Sequence, residues 1–156
     1  MKEKPKFKKF TSFRPWQPKI IDWILGEFEK GKKFVILSAP TGIGKSLVGM
    51  EVSSVFANTA YVCHSKSLQE QLEKDFPEAA VLMGRNNYRC LLVPSVTCDL
   101  CPSTKEDPCD VKERCEYLVA LRRAIQSDFR ILNYSYLFWA ANFTSFPIGE
   151  DLIVLD

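Results

Sequence analysis

Hydrophobic positions along this chain switch between helical spacing and short continuous runs. From 17 to 30 they recur on one helical face, and Gly31 is a plausible helix stop. The apolar run at 34–38 lies between charged and turn residues, which predicts a strand buried on both faces of a parallel sheet. The same patterns predict strands at 59–63, 79–83, 129–132 and 151–155, and helices at 44–55, 67–76, 111–127 and 136–140. Alternation of strands and helices predicts an α/β fold with a parallel sheet.

The periodicity fails between residues 84 and 110. This stretch contains Gly84, three prolines and four cysteines, and it shows no sustained helical or strand period. It is too long for an ordinary connection inside a compact domain. The sequence therefore predicts an inserted segment that has its own means of staying folded.

Composition places the chain among folded domains and directs attention to its cysteines. The chain has 156 residues, of which 46% are hydrophobic and 26% charged, which excludes disordered and collagen-like classes. No apolar run approaches the roughly 18–20 residues that span a bilayer, and no signal-peptide segment follows the start. These features predict a cytoplasmic protein without membrane contact. In that reducing compartment six cysteines indicate metal or redox chemistry more than disulfides.

The formal net charge of +2 hides a basic start. Residues 1–10 carry five lysines and one glutamate, and the rest of the chain is slightly acidic. Such an arm can lie on a polyanion such as nucleic acid, or it can be an ordinary solvated terminus. The charge alone leaves both readings open.

A glycine-rich loop between the first predicted strand and the next helix carries the clearest chemistry. Its sequence, APTGIGKS at 39–46, has the form of a phosphate-binding P-loop, with Ala39 where the strict pattern has glycine. In such loops backbone N–H groups cradle phosphates, Lys45 reaches the β- and γ-phosphates, and the Ser46 hydroxyl binds Mg²⁺. The predicted nucleotide-binding residues of the loop are Thr41, Gly42, Ile43, Gly44, Lys45 and Ser46.

Two further residues complete the predicted nucleotide site. Asp156 follows four apolar residues, as the acidic residue of a Walker B strand does, and there it would hold the Mg²⁺ shell. Lys45 and Asp156 are therefore the catalytic candidates. Gln17 could pair with adenine while Phe13 or Trp16 stacks on the base, although an ordinary hydrophobic lead into the first helix explains the same residues.

Five cysteines between residues 90 and 115 predict a four-thiolate metal or iron–sulfur site. They are Cys90, Cys98, Cys101, Cys109 and Cys115. Zinc and a [4Fe–4S] cluster both accept four thiolates, and the spacing does not choose between them. The remaining cysteine, Cys63, lies inside a predicted strand and is interpreted as a small buried hydrophobe.

Taken in order, these motifs resemble the XPD/DinG family of iron–sulfur superfamily 2 DNA helicases. The matching segments are FRPWQ (13–17), APTGIGKS (39–46), HSKSLQEQL (64–72), GRNNYRC (84–90), CEYL (115–118), ILNYSYLF (131–138) and LIVLD (152–156). They resemble the adenine-reading Q motif, motifs I and Ia, the two ends of the cluster segment, the strand and turn behind it, and the start of the DEAH box.

The resemblance implies a first RecA-like P-loop NTPase domain with an inserted [4Fe–4S] domain. Its expected boundaries are a basic arm at 1–12, the RecA-like part at 13–83 and 128–156, and the insertion at 84–127. The implied cluster ligands are Cys90, Cys101, Cys109 and Cys115, with Cys98 as a spare. Family members vary in the two middle ligands, and Glu116 replaces the proline that follows the last cysteine, so Cys98 remains an alternative.

The implied activity is ATP-driven 5′→3′ unwinding of DNA by a monomer that binds ATP, Mg²⁺, single-stranded DNA and a fork. Its location would be cytoplasmic, nucleoid-associated or, in a eukaryote, nuclear. DNA contacts are expected near motif Ia and from basic and aromatic residues of the insertion, although solvated surface explains these equally well. The residues concerned are Ser65, Lys66, Arg85, Tyr88, Arg89 and Arg114.

A helicase motor needs two RecA-like domains, and these 156 residues hold most of one. We therefore expect the chain to bind ATP but, alone, neither to hydrolyse it nor to unwind DNA. Two other functions fit the same motifs. One is a P-loop ATPase or kinase with a structural zinc site, and the other is a non-catalytic nucleotide- or DNA-binding module.

Overall fold

The computed structural model describes residues 7, 10–103, 109–146, 148 and 151–156. Most of the predicted basic arm lies outside these residues. The elements of the described part, in chain order, are α1 (Gln17–Glu29), α2 (Lys45–Ser53), β1 (Thr59–Cys63), α3 (Lys66–Asp75), β2 (Ala80–Val81), α4 (Glu116–Gln126), β3 (Phe129–Asn133), α5 (Tyr134–Phe143) and β4 (Leu152–Leu155). No helix in these ranges is long and apolar enough to cross a membrane.

The four strands form one parallel sheet in the order β2-β3-β1-β4. Val62 of β1 lies opposite Leu132 of β3 on one side and Leu155 of β4 on the other. The prediction of an α/β fold with a parallel sheet is confirmed, and the arrangement is that of a RecA-like domain. Because the strands are parallel, their carboxyl ends meet at one edge, where such sheets bind their ligands.

Alternating side chains of β1 point into two separate cores. Tyr61 and Cys63 pack with residues of α2 and α3 on one face of the sheet. Ala60 and Val62 pack with residues of α4 and α5 on the other face. A third apolar cluster joins α1 to α2. The sheet therefore separates what lies on its α2–α3 face from what lies on its α4–α5 face.

The prediction of a strand at 34–38 is wrong for the described sheet. The segment has no regular secondary structure and forms no ladder with a strand of the described sheet. Val35 and Leu37 pack against the α1–α2 cluster, whereas Phe34 and Ile36 are 88% and 89% exposed. The apolar run is thus covered on one face only. A continuous hydrophobic stretch predicts burial on both faces, but it does not supply the second layer that would bury it.

The segment between β2 and α4 has little regular structure, as predicted. Its described residues, 82–103 and 109–115, contain two single turns of 3₁₀ helix, at Arg85–Asn87 and Cys98–Leu100, and one antiparallel bridge between Arg89 and Thr97. The helix predicted from residue 111 begins only at Glu116, because residues 109–115 form consecutive turns. At the other end of the chain, α5 extends the short predicted turn at 136–140 to ten residues.

Candidate functional site

The phosphate loop is shaped by two glycines in left-handed backbone conformation. Gly42 has φ 76° and Gly44 has φ 85°, a region that residues with a side chain rarely adopt. Gly44 is also the N-cap of α2 and gives that helix no side-chain cap. The first backbone N–H groups of α2 therefore have no acceptor within the helix, and an anion at this end can supply one.

Lys45 reaches back across the loop that precedes it. Its Nζ donates to the carbonyl oxygens of Ala39 at 3.1 Å and Pro40 at 3.3 Å. These are ordinary bonds to neutral acceptors. A charged phosphate oxygen in the loop would be a stronger partner for the same ammonium group.

Arg14 and Gln17 bind the outer side of the loop. Arg14 Nη1 donates to the Gly42 carbonyl at 2.5 Å, and Gln17 Nε2 lies 3.5 Å from the Ile43 carbonyl and 3.4 Å from that of Gly44. Gln17 is 2% exposed, and its Oε1 accepts from the Arg14 backbone N–H at 2.8 Å. The structure thus directs this amide at the phosphate loop. Adenine recognition by Gln17 stays a prediction.

Phe13 and Trp16 lie beside this loop contact. Both are partly buried and pack against the hydrophobic cluster that joins α1 to α2. This is the ordinary hydrophobic lead into a helix that the sequence left open as one reading. Stacking of either ring on a base stays a prediction.

Asp156 and Ser46 both lie near the hydroxyl of Tyr61. Tyr61 donates to Asp156 Oδ2 at 2.6 Å, and the nearby Ser46 side chain acts to lower the pKa of the same hydroxyl. Burial, reinforced by the bond to Asp156, raises the pKa of Tyr61 far above its usual value, so the phenol stays protonated and donates. The structure thereby brings together the two residues predicted to share a magnesium ion.

Sequence reasoning placed Tyr61 in a buried strand and missed its hydroxyl contacts. A signal was present, because a tyrosine in a buried strand needs a polar partner for its hydroxyl, and Tyr61 is the middle residue of the buried strand. Its neighbour Cys63 is fully buried, as predicted, and burial, followed by the charge of Asp156, raises the pKa of that thiol to about 11.

The five clustered cysteines face one cavity of about 240 Å³. All are free thiols. Arg85 and Lys112 line the same cavity and bring positive charge to it. The cysteines that line it are Cys90, Cys98, Cys101, Cys109 and Cys115.

The expected spare cysteine belongs to this group in space. Cys98 is 3% exposed, and its Sγ lies 3.8 Å from that of Cys115. Burial, with Cys115 as the next cause, raises the pKa of Cys98 to about 11, whereas the Ser103 hydroxyl lowers the pKa of Cys101. Among the described residues no three His, Cys, Asp or Glu side chains converge closely enough to hold a metal ion. The choice of ligands therefore stays a prediction.

The motif Ia residues expected to contact DNA lie at the start of α3. The Ser65 hydroxyl caps the helix by accepting from the Leu68 backbone N–H at 3.2 Å. Lys66 is exposed and lies 3.7 Å from Glu70 one turn along. Ser65 is thus occupied with its own helix, and Lys66 remains on the surface near the carboxyl edge of the sheet.

The insertion residues expected to contact DNA divide into exposed and packed positions. Arg89 and Arg114 are exposed. The Tyr88 hydroxyl accepts from the Met83 backbone N–H at 3.1 Å, and its ring lies edge-on to Tyr117 at 5.7 Å. Tyr88 therefore contributes to the core on the α4–α5 face of the sheet.

The guanidinium of Arg85 is exposed, but it already has an aromatic neighbour. It lies 5.5 Å from the centre of the Tyr117 ring, within range of a cation–π contact. Together with its place in the cavity lining, this contact directs Arg85 toward the cysteine segment.

One family model matches most of the chain. The family described as type III restriction enzyme, res subunit, matches residues 10–137. This is a family of N-terminal domains of superfamily 2 helicases, and the matched range covers the phosphate loop, β1 to β3 and the cysteine segment. No curated protein and no solved structure matches the chain.

Proposed function

The chain belongs to the type III restriction enzyme res-subunit family, and from this premise we propose that it is part of an ATP-dependent DNA helicase of the XPD/DinG type. Family membership gives the helicase/ATPase-type superfamily 2 function. The proposal adds 5′→3′ polarity and a [4Fe–4S] cluster. It is supported by the order of the motifs and by the cysteine-lined cavity.

The observation that carries the ATP-dependent part is the place of Ser46 and Asp156, both near the Tyr61 hydroxyl, beside the loop that Lys45 spans. Lys45 and the N-terminal N–H groups of α2 would hold the phosphates. Ser46 and Asp156 would hold Mg²⁺, which when bound neutralises phosphate charge. The chain's own residues thus orient the triphosphate.

The cysteine cavity supports the cluster. Zinc needs four ligands converging on one point, at about 2.3 Å for each sulfur. A [4Fe–4S] cluster is also held by four thiolates, and five cysteines line one cavity here; the choice of the cluster over zinc rests on the order of the motifs. We propose Cys90, Cys101, Cys109 and Cys115 as ligands, with Cys98 as the alternative for a middle position. A bound cluster would supply cross-links to a segment that has almost no regular structure.

Single-stranded DNA is the proposed partner. Lys66 is exposed near the carboxyl edge of the sheet, and Arg89 and Arg114 are exposed on the cysteine segment. Such cations bind phosphates irrespective of base sequence. The proposed direction of movement rests on the family resemblance.

Metal analysis tests the cluster. Protein purified without oxygen should contain iron and acid-labile sulfide in equal amounts and show a broad visible absorption band. Cys115→Ala should lose all three signals, while Cys63→Ala, outside the cavity, should keep them. Zinc without sulfide would instead support a P-loop ATPase with a structural zinc site.

Nucleotide binding tests the ATP site. Lys45→Ala should weaken ATP binding at least about tenfold, or about 1.4 kcal/mol, because the charge on the phosphates is lost. Lys30→Ala is the matched control, since Lys30 is exposed and pairs only with Glu27 at 2.7 Å in the described residues. Equal ATP affinities for wild type and Lys45→Ala would refute the phosphate-loop assignment.

A further inference from the structure

Tyr61 lies at the centre of the sheet, beside the predicted magnesium ligands of the nucleotide site. It belongs to β1, which has β3 on one side and β4 on the other, and it is 1% exposed. Its hydroxyl donates to Asp156 Oδ2 at 2.6 Å, and Ser46 lies near enough to act on the pKa of that hydroxyl. One buried hydroxyl is therefore bonded to the residue that follows β4 and lies near the first turn of α2.

The ring that carries this hydroxyl is confined by a glycine. A Cβ on Gly49 would lie 2.9 Å from Tyr61 Cε2 and 3.2 Å from Val154 Cγ1. Gly49 lies in α2, one turn after Ser46, where glycine costs about 1 kcal/mol relative to alanine. The missing side chain lets the tyrosine ring and β4 approach the helix backbone, so the ring has little freedom to move.

We propose that Tyr61 is a positioning residue for the divalent cation of the nucleotide site, a role that rests on the proposed ATP site. Its hydroxyl donates to Oδ2 of Asp156, and no hydrogen bond from another described residue reaches Oδ1, which is the oxygen we assign to the cation. The Asp156 backbone is fixed by its N–H bond to the Val62 carbonyl at 2.9 Å. With both contacts present, the carboxylate has one orientation relative to Ser46.

A positioning role differs from a purely structural one in its effect on how nucleotide binding depends on Mg²⁺. Partners that orient metal ligands contribute about 10–100-fold to metal affinity. Tyr61→Phe keeps the ring and removes only the hydroxyl. The Mg²⁺ concentration that half-saturates nucleotide binding should therefore rise about tenfold or more, while nucleotide affinity in EDTA stays the same.

The measurement is a fluorescence titration of the full chain with a methylanthraniloyl derivative of ATP, at graded Mg²⁺ and in EDTA. Tyr136→Phe is the matched control. It removes another buried tyrosine hydroxyl, on the opposite face of the sheet, and should leave both affinities unchanged. Thermal unfolding of each variant shows whether it is folded.

A double variant tests whether Tyr61 acts through Asp156. The proposed effect is transmitted by the carboxylate. Adding Tyr61→Phe to Asp156→Asn should therefore not raise the half-saturating Mg²⁺ concentration any further. If Tyr61→Phe does not fold, Gly49→Ala replaces it, since the added methyl group displaces the ring. Gly49→Ala should also raise the half-saturating Mg²⁺ concentration and leave nucleotide affinity in EDTA unchanged.

The outcomes separate this inference from the proposed function. The role of Tyr61 is overturned if Tyr61→Phe, or Gly49→Ala where that variant replaces it, has the same half-saturating Mg²⁺ concentration as the wild type. That result leaves the proposed ATP site intact. An equal loss in EDTA and Mg²⁺ also overturns it, because that result indicates a purely structural residue. If the wild type binds nucleotide without any response to Mg²⁺, both proposals fail.

Discussion

Three glycines, two in the phosphate loop and one in α1, differ in what a side chain would meet. Gly44 has φ 85°, and a Cβ there would lie 2.6 Å from Gln17 Nε2. Gly42 has φ 76° but open space around it. Gly26, inside α1, has open space and no positive φ. The sequence motif marks the first two alike, whereas the structure gives only Gly44 a close neighbour.

We expect these glycines to respond to alanine in a graded way. Gly42→Ala should cost about 1–2 kcal/mol of unfolding free energy from backbone strain. Gly44→Ala should cost more and also weaken nucleotide binding, because Gln17 must move. Gly26→Ala should stabilise by about 0.5–1 kcal/mol, since it removes glycine from a helix interior. Chemical denaturation measures all three, and equal losses for Gly42 and Gly44 would contradict the contact with Gln17.

At the same scale, the sequence predicted the phosphate-loop residues and Asp156 as site residues, because each lies in a recognisable local pattern. The bond between Tyr61 and Asp156 joins residues 95 positions apart and depends on the pairing of β1 with β4. Local periodicity contains no information on that pairing. Sequence spacing likewise does not show that Cys98, which the family resemblance leaves as the spare cysteine, has its Sγ 3.8 Å from that of Cys115.

At the scale of elements, local patterns predicted best where a neighbour buries the segment as expected. The strand predicted at 59–63 has those bounds, because it is central in the sheet and buried on both faces. The run at 34–38 has similar hydrophobicity but is covered on one face only. Hydrophobicity reports what a segment prefers, and the neighbours decide whether it becomes a strand.

The start of α5 allows a test at this scale. Asn133 Oδ1 accepts from the Tyr136 backbone N–H at 2.7 Å and caps the helix, while its Nδ2 lies 3.5 Å from Gln69 Oε1 of α3. Asn133→Ala should lower the free energy of unfolding by about 1–2 kcal/mol. Asn133→Asp should restore most of this, because the carboxylate can accept the same bond.

The control for this test lies on the same helix. Asn142 is exposed, and its Nδ2 donates to the Phe138 carbonyl of α5 at 2.7 Å. Asn142→Ala should change unfolding free energy by less than about 0.5 kcal/mol, as surface substitutions do. Equal losses for Asn133→Ala and Asn142→Ala in urea denaturation would show that the cap contributes nothing specific.

At the scale of the whole molecule, the sheet divides the two proposed sites. Tyr61, which donates to Asp156, packs in the core on the α2–α3 face. Cys98 packs in the core on the α4–α5 face, with Cys115 against it. Substitutions at sites without shared contacts usually have additive effects within about 0.3–0.5 kcal/mol. The two sites should therefore be energetically independent in the absence of DNA.

Reciprocal substitutions test this independence. Cys115→Ala should lose iron and lower the thermal midpoint while keeping wild-type Mg²⁺–ATP affinity, because its contacts lie on the α4–α5 face. Lys45→Ala should lose ATP affinity while keeping its iron content. The double variant should show the sum of the two losses in unfolding free energy, measured by denaturation without nucleotide. A tenfold fall in ATP affinity in Cys115→Ala, about 1.4 kcal/mol, would instead mean that the cysteine segment is coupled to the phosphate loop through the shared central strand.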